Sequence, residues 1–531
     1  MVAQQNQFDA IVIGSGIGGL TVAAILAKHQ HKKVLVLEQH FTAGGFTHSF
    51  ERGKFDWDVG LHYVGDMGEG DTGKAVFDYL TDGKLHWQKM PEPFEKFVYP
   101  DFTFAVSAAA DKYQADLIQL FPQEEKAIRQ YFADVKRAMF WFGAYNIPEI
   151  FPECLQPLLK VILKYGGGIA RQTTQAYLDK HFQDERLKAL LVSQWGDYGL
   201  PPAESCFGIH STIVMHYLKG AWYPVGGAKA IALAIIPVIE RAGGVVITQR
   251  KVREILIESG VAVGVKAQKT ARQDGDIEEY YAPVVVSDAG AFNTYLKLIP
   301  ESYPQPYRQD IKAFPKGTTA LTVYLGLKQS PEKLGFRGEN HWIYSTYNHN
   351  GIIQKNCSEQ FPQSCYLSFA SLKNPAAGSH TAEIIAFTQY DCFQKWSQQR
   401  WRKRDADYKE IKAQITQNLL NLVELHYPGF GDLVEYAELS TPLTVEHFDA
   451  SDRGAIYGIP CIPQRLGKPW VRSRTPIKNL YLTGADTLAL GIMGAMMGGV
   501  KTAGLLNGGF GYFQIMGVIM KEAARGKAGK Q

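Results

Sequence analysis

No run of eighteen or more apolar residues occurs in this sequence, so no helix is expected to cross a bilayer. Cysteine is scarce, at six in 531 residues. Cys154, Cys206, Cys357, Cys365, Cys392 and Cys461 form no CxxC and no short His/Cys ligand spacing. That pattern excludes the common zinc modules and leads us to expect free, mostly buried thiols in a reducing compartment. Charge imbalance is missing too: a formal net of +4 gives no dense basic face, so nucleic acid is not an expected partner. Residues 1–7 are polar and lack an apolar h-region, so no signal peptide is expected. No acid pair, Ser/His/Asp arrangement or metal-ligand spacing stands out. Any hard chemistry therefore falls to a cofactor, with the protein supplying orientation and a proton.

Glycine is plentiful. The 52 glycines crowd into 14–19, 44–45, 484–499 and 504–511, as expected where something large approaches the backbone. Otherwise the composition, 46% apolar and 20% charged, is that of an ordinary globular protein. The length calls for more than one core.

FDAIVI (8–13) reads as a buried parallel strand, GSGIGG follows, and LTVAAILAKHQ has helical periodicity. KKVLVLEQ is a second strand, with Glu38 placed 19 residues after Gly19. Gly14 permits a tight turn, Gly16 lets a diphosphate approach (with Ser15 between them), and Gly19 lets helix and strand meet closely. Glu38 is placed to accept hydrogen bonds from a ribose diol, and an acid there argues against a 2′-phosphate. Strand, turn, helix, strand and acid in this order outweigh the alternative of a mere glycine turn.

FAD is the expected dinucleotide. Gly44 and Gly45 extend the motif past the second strand, and NLYLTGAD (479–486) places Asp486 after a late strand. The following segment, TLALGIMGAMMGGVKTAGLL, opens a glycine-rich helix around Met493. Its N-terminal N–H groups would face the flavin carbonyl. Between these ends, 223–267 reads as turn, helix and strands, and APVVVSDAG (282–290) as a buried strand. Val252 is placed to meet adenine through its backbone. The resulting fold is α/β: a discontinuous Rossmann-type FAD-binding domain of the glutathione reductase and amine oxidase kind, with an α+β substrate domain. The FAD parts are 1–105, 218–292 and 472–531; the substrate parts are 106–217, mainly helical, and 293–471, sheet plus helix.

In 151–165 a broad apolar face (Leu155, Leu158, Leu159, Ile162, Leu163) is expected to dock on its own core. The second reading is a helix touching a bilayer, which the basic end of GFGYFQIMGVIMKEAARGKAGK also fits.

Taken in order, GSGIGG, Glu38, GG, DVGLHYVG, GAWYPVGG, VSDAGAFNTY, LTGAD and GIMGAMMGG resemble the retinol saturase branch of the carotenoid isomerase and phytoene desaturase family. HYVG and GAWYPVGG are the more discriminating of these, and the resemblance runs from about residue 8 to about residue 510. It implies an FAD-dependent oxidoreductase saturating a carbon–carbon double bond of a conjugated isoprenoid. Carotenoid cis/trans isomerase or desaturase activity at the same flavin is the alternative. A non-catalytic polyene-binding flavoprotein and an amine oxidase are more distant ones. NAD or NADP as a transient reductant, or an electron-donor protein, would reduce the flavin. The expected setting is cytoplasmic or plastid-like and peripheral to a membrane, because the hydrophobic leader of the vertebrate-type enzymes has no counterpart here.

In the resembling fold, FDWDVGLHYVGDM (55–67) passes the flavin ring. Asp58 reads first as a turn residue tying backbone and second as a wall of the flavin site. His62 and Tyr63 point opposite ways if the chain is extended, so one of them faces the flavin. Either could deliver the proton that completes saturation, His62 ahead of Tyr63.

Overall fold

A computed structural model describes residues 8–270, 277–353 and 361–528. A five-stranded parallel sheet forms the nucleotide half, in the order Leu480–Leu482, Val285–Ser287, Ala10–Ile13, Val34–Leu37, Val245–Ile247. Its strands come from three distant stretches of chain, as the interrupted motif predicts. The two central strands, AIVI and VLVL, are buried at every position because helices cover one face, while the three-stranded sheet of Arg250–Glu258, Val261–Lys269 and Ile277–Tyr281, with side chains from 291–314, covers the other. Helix Ile17–Gln30 lies against helix Gly491–Leu506 at a glycine contact: a Cβ on Gly499 would come within 2.7 Å of the Gly18 carbonyl oxygen. Small residues are thus what allow the two helices to approach.

A seven-stranded sheet forms the other half, in the order Val434–Ser440, Thr319–Leu327, His380–Thr388, Ser364–Ser368, Asn340–Tyr344, Glu95–Val98, Thr103–Val106. Helix Ala406–His426 packs on one face through Ile415, Leu419, Leu422 and Val423. An aromatic-rich core shared with helices of the 110–217 region covers part of the other. Glu95–Val98 and Thr103–Val106, assigned above to the first nucleotide segment, belong to this second sheet, with Glu95–Val98 parallel to Asn340–Tyr344. The reason is long-range: a four-residue strand takes its partner from register across 240 residues, which local pattern does not carry.

Two further expectations change. Cys392 is disulfide-bonded, so the thiols are not all free; Cys154, Cys206, Cys365 and Cys461 are, and Cys357 lies outside the described residues. Cysteine spacing reveals short-range motifs and is blind to such a bond. In helix Gln156–Gly166 and just before it, Leu155, Leu158, Val161 and Ile162 are exposed, Leu158 by 64%, so this apolar face is turned outward instead of docking on the core. Among the described residues, no helix is long and apolar enough to cross a membrane.

Candidate functional site

One cavity of about 700 Å³ runs from the glycine turn to the wide sheet. At its nucleotide end, Gly14 has φ +94°, a conformation that L side chains rarely adopt. A Cβ on Gly16 would lie 2.5 Å from Asp288 Oδ2, and one on Gly18 would lie 2.5 Å from the Gly484 Cα. Helix Ile17–Gln30 begins with no side-chain cap and no acid in its first turn, and Gly16, Ile17 and Gly18 face the cavity. Its free N–H groups and positive dipole end therefore look into the cavity, as an anionic diphosphate requires.

Glu38, 7% exposed, closes the ribose end. Its carboxylate accepts hydrogen bonds from the Ser15 amide (2.9 Å), the Ser15 hydroxyl (2.7 Å) and the His40 amide (2.7 Å). The Ser15 hydroxyl in turn accepts from the Gly44 amide at 3.1 Å, joining the two glycine motifs; Gly44 and Gly45 both have positive φ. Val252 lines the cavity from the strand Arg250–Glu258, the edge of a three-stranded sheet, so one side of its backbone meets no neighbouring strand. Asp486 also lines the cavity. Its two oxygens accept the Ala291 and Ile459 amides at 2.7 and 2.8 Å, clamping two loops over the site. Helix Gly491–Leu506 likewise starts uncapped, and Gly491, Ile492 and Ala495 face the cavity. Met493 turns the other way, toward Gly73 of helix Thr72–Thr81.

The residues present fit a large dinucleotide. Asn293 Oδ1, Ser451 Oγ and Thr483 Oγ1 are buried without a hydrogen-bond partner among the described residues, and all three residues line the cavity. Buried polar atoms left this way need a ligand to satisfy them.

Asp58 does not reach the cavity. Its Oδ1 accepts from Ser49 Oγ (2.6 Å) and the Ala228 amide (3.0 Å), and its Oδ2 accepts from the Tyr223 hydroxyl. Burial raises its pKa to about 6. It ties the DVG strand to the glycine turn of GAWYPVGG, which is the first of its two readings and not the cofactor contact.

His62 and Tyr63 do diverge. His62 faces the cavity, with Nδ1 2.8 Å from Glu383 Oε2 and its ring edge-on to Tyr366. Lys373, buried at 3% exposure, donates to the His62 carbonyl (2.6 Å), Asn340 Oδ1 (3.0 Å) and Ser368 Oγ (2.6 Å). Burial lowers its pKa to about 7. Tyr63 points away from the cavity into the core. Its hydroxyl sits between two carboxyls, 2.8 Å from Glu95 Oε1 and 2.7 Å from Asp197 Oδ2. Glu95 also accepts from Trp342 Nε1 (2.5 Å) and Gln194 Nε2 (2.6 Å). Burial raises Glu95 to about 8 and Asp197 to about 7.

Asp197 lines the cavity beside Trp342, Tyr366, Phe387 and Tyr457. The acid pair, Lys373 and Glu383 are the functional groups that sequence reasoning missed. Glu95 and Asp197 stand about a hundred positions apart, and only the partnership with Tyr63 of HYVG joins them.

A family model described as an NAD(P)-binding Rossmann-like domain matches residues 12–80. The chain is similar over 97% of its length to the solved structure of cyclohexylamine oxidase from Brevibacterium oxydans (99% of that chain, TM-score 0.58, 15% identity), a likeness of fold. It is 34% identical to the all-trans-retinol 13,14-reductase of Danio rerio, over 94% of this chain and 86% of that protein. A second Danio rerio protein, described as an inactive all-trans-retinol 13,14-reductase, is 30% identical over 94% and 85%. Prolycopene isomerase 1 of an Oncidium hybrid cultivar is 26% identical over 94% and 84%. A Rossmann-type dinucleotide site opening into an aromatic chamber, with such identity along nearly the whole chain, places this protein in the all-trans-retinol 13,14-reductase family.

Proposed function

We propose that the protein is a flavin-dependent oxidoreductase that saturates one carbon–carbon double bond of a conjugated isoprenoid, retinoid or carotenoid. The observation that carries this reading is the continuity of the cavity. Glu38 and the uncapped helix at Gly16 stand at one end, and a chamber walled by Tyr324, Trp342, Tyr366 and Phe387 at the other. Glu38 and Ser15 would hold the adenosine ribose, and the amides following Gly16 the diphosphate. The Val252 backbone would meet adenine, and the start of helix Gly491–Leu506 the ring system. When bound, the flavin supplies two electrons and a hydrogen to the substrate. The chain's own part is to orient the polyene against aromatic faces, exclude water and deliver a proton at the reacting carbon. His62 is the cavity-facing candidate that the HYVG motif itself provides.

NADH, NADPH or a small electron-transfer protein would reduce the flavin between turnovers. A polyene arrives from a membrane, and the outward apolar face of Leu158, Val161 and Ile162 fits peripheral docking there. Phe510 and Phe513, also exposed, join this face through their ring contacts with Phe151.

The isomerase reading is favoured by the similarity to prolycopene isomerase. The two separate on product mass. Flavin-loaded, anaerobically reduced protein is incubated with all-trans-retinol and with prolycopene. A gain of two hydrogens supports saturation; unchanged mass with altered geometry supports isomerisation. No conversion of either compound would put this chain with the inactive relative.

A further inference from the structure

The proton count around Tyr63 carries a step beyond the HYVG motif. A phenol has one hydrogen to donate, yet the Tyr63 oxygen is within hydrogen-bond distance of both Glu95 and Asp197. Both contacts are hydrogen bonds only if one carboxyl carries a proton and donates it to the phenol oxygen. Two ionised carboxylates on one buried hydroxyl would also repel each other in a medium that screens them poorly. The pair therefore holds one extra proton.

The surroundings decide which oxygen bears it. Burial pushes Glu95 up further than Asp197, but Glu95 accepts from Trp342, Gln194 and Tyr63, three donors that oppose burial and favour the carboxylate. Asp197 has one side-chain hydrogen-bond partner among the described residues, Tyr63, and it is the member of the trio that lines the cavity. The chain then runs from Asp197 O–H to the Tyr63 oxygen, and from Tyr63 O–H to the Glu95 carboxylate.

The geometry points to Asp197 as the acid that protonates the polyene, with Tyr63 and Glu95 as its positioning residues. This inference rests on the polyene-reductase reading above. The π pair of the reacting double bond takes the Asp197 proton to form one C–H bond. It leaves an Asp197 carboxylate and a delocalised cation on the polyene. A bound reduced flavin would supply the hydride equivalent that closes the second C–H bond, so that the product gains two hydrogens and the charges cancel. The walls suit that cation: the Asp197 carboxylate stands beside it, with Glu95 one hydrogen bond behind, and the faces of Trp342, Tyr366 and Phe387 offer cation–π stabilisation. After product leaves, Asp197 regains its proton through the cavity. Without hydride delivery, rotation about the cation followed by return of the proton to Asp197 is an isomerisation. One acid in this chain therefore serves either chemistry.

The test begins without cofactor or substrate. Burial also raises Asp288 to about 8 and Asp449 to about 7, so the readout is a difference: the infrared spectrum of wild-type full chain minus that of Asp197→Asn at neutral pH should show a protonated-carboxyl stretch that shifts in D2O. If that difference is absent for Asp197→Asn and present for Glu95→Gln, the proton resides on Glu95 and the proposal fails. In flavin-loaded enzyme reduced in D2O, wild type should place two solvent deuteriums in the product, one through Asp197 and one from the flavin N–H, which also exchanges with solvent. Asp197→Asn should lower conversion at least a hundredfold while flavin uptake is unchanged, and Asp197→Glu should restore part of the loss. Undiminished conversion by Asp197→Asn overturns the acid and leaves the polyene-reductase reading intact. Failure of wild type to convert any polyene overturns that reading and the acid's role with it.

Discussion

Glu383 Oε2 lies 2.8 Å from Nδ1 of His62; the carboxylate is 1% exposed and the imidazole 15%. A buried carboxylate stands behind the cavity-facing imidazole, and Lys373 holds the same turn by donating to the His62 carbonyl. Replacing Glu383 by Gln removes the charge while keeping the shape. We expect a loss of about 1–3 kcal/mol in urea unfolding, because Lys373, which burial lowers to about 7, loses a buried counter-charge. Unchanged stability would show that the pair is not electrostatically coupled.

The glycine cradle makes a graded prediction. Gly16→Ala places a methyl 2.5 Å from the Asp288 carboxylate oxygen, which a side-chain rotation relieves at the expense of the cofactor space. Flavin titration by fluorescence should show at least tenfold weaker binding with the fold retained. Gly18→Ala meets backbone at Gly484, 2.5 Å away, which cannot rotate aside. It should cost about 1–3 kcal/mol of stability in addition, measured by thermal unfolding.

Turnover should fall as pH rises. The Asp197–Glu95 pair must hold a proton, and burial raises the two groups to about 7 and about 8. Below that window the pair is protonated and active; above it the proton is lost. Tyr63, Tyr217 and Tyr366 also face the pair, and burial keeps all three phenols un-ionised throughout this range. Lys373, which burial lowers to about 7 and Glu95 attracts, titrates in the same window, so the profile is compared with that of Lys373→Met. The apparent values belong to the pair jointly. A kcat/KM profile that stays level to pH 9 would contradict the assignment.

Stability should behave oppositely at acid pH. Burial lowers His210 to about 3, with its nitrogens set against the hydroxyls of Tyr131 (2.7 Å) and Tyr198 (3.2 Å). The folded state thus refuses a proton that the unfolded chain accepts near 6.5. Stability is full above that value and is lost as pH falls toward 3, by up to about 1.4 kcal/mol per pH unit. Urea unfolding at pH 7 and pH 5 should differ accordingly, and His210→Gln should shrink the difference.

Leu158→Ser with Ile162→Ser tests the outward apolar face. Both side chains are mostly exposed, so the melting temperature should move by less than about 2 °C. Co-sedimentation with liposomes should fall severalfold. Retained binding would place the membrane contact elsewhere.

The nucleotide half was legible because its signals are local. Gly14, Gly16, Gly19 and Glu38 sit within one strand–helix–strand unit, and each has a conformational or hydrogen-bonding duty that only its residue type performs. The chemistry of the substrate half was not legible, because its partners are distant in sequence. Tyr63 was singled out from HYVG, but nothing near it announces Glu95 or Asp197. Asp58 was ambiguous for a related reason: its three donors, Ser49, Tyr223 and Ala228, come from two separate segments. The outward face at Leu158 shows the limit of periodicity, which finds an apolar stripe without saying which way it turns.

The parallel sheet closes its edge with Leu480–Leu482, a strand made long after Ala10–Ile13 at its centre. During translation, the glycine turn and its helix must therefore wait on the ribosome without the strand that flanks Val285–Ser287 or the helix at Gly499. A chain halted before residue 480 should be a client for chaperones, unable to take up its cofactor however complete its N-terminal motif. Loading is then tied to synthesis of the strand Leu480–Leu482 and the helix Gly491–Leu506.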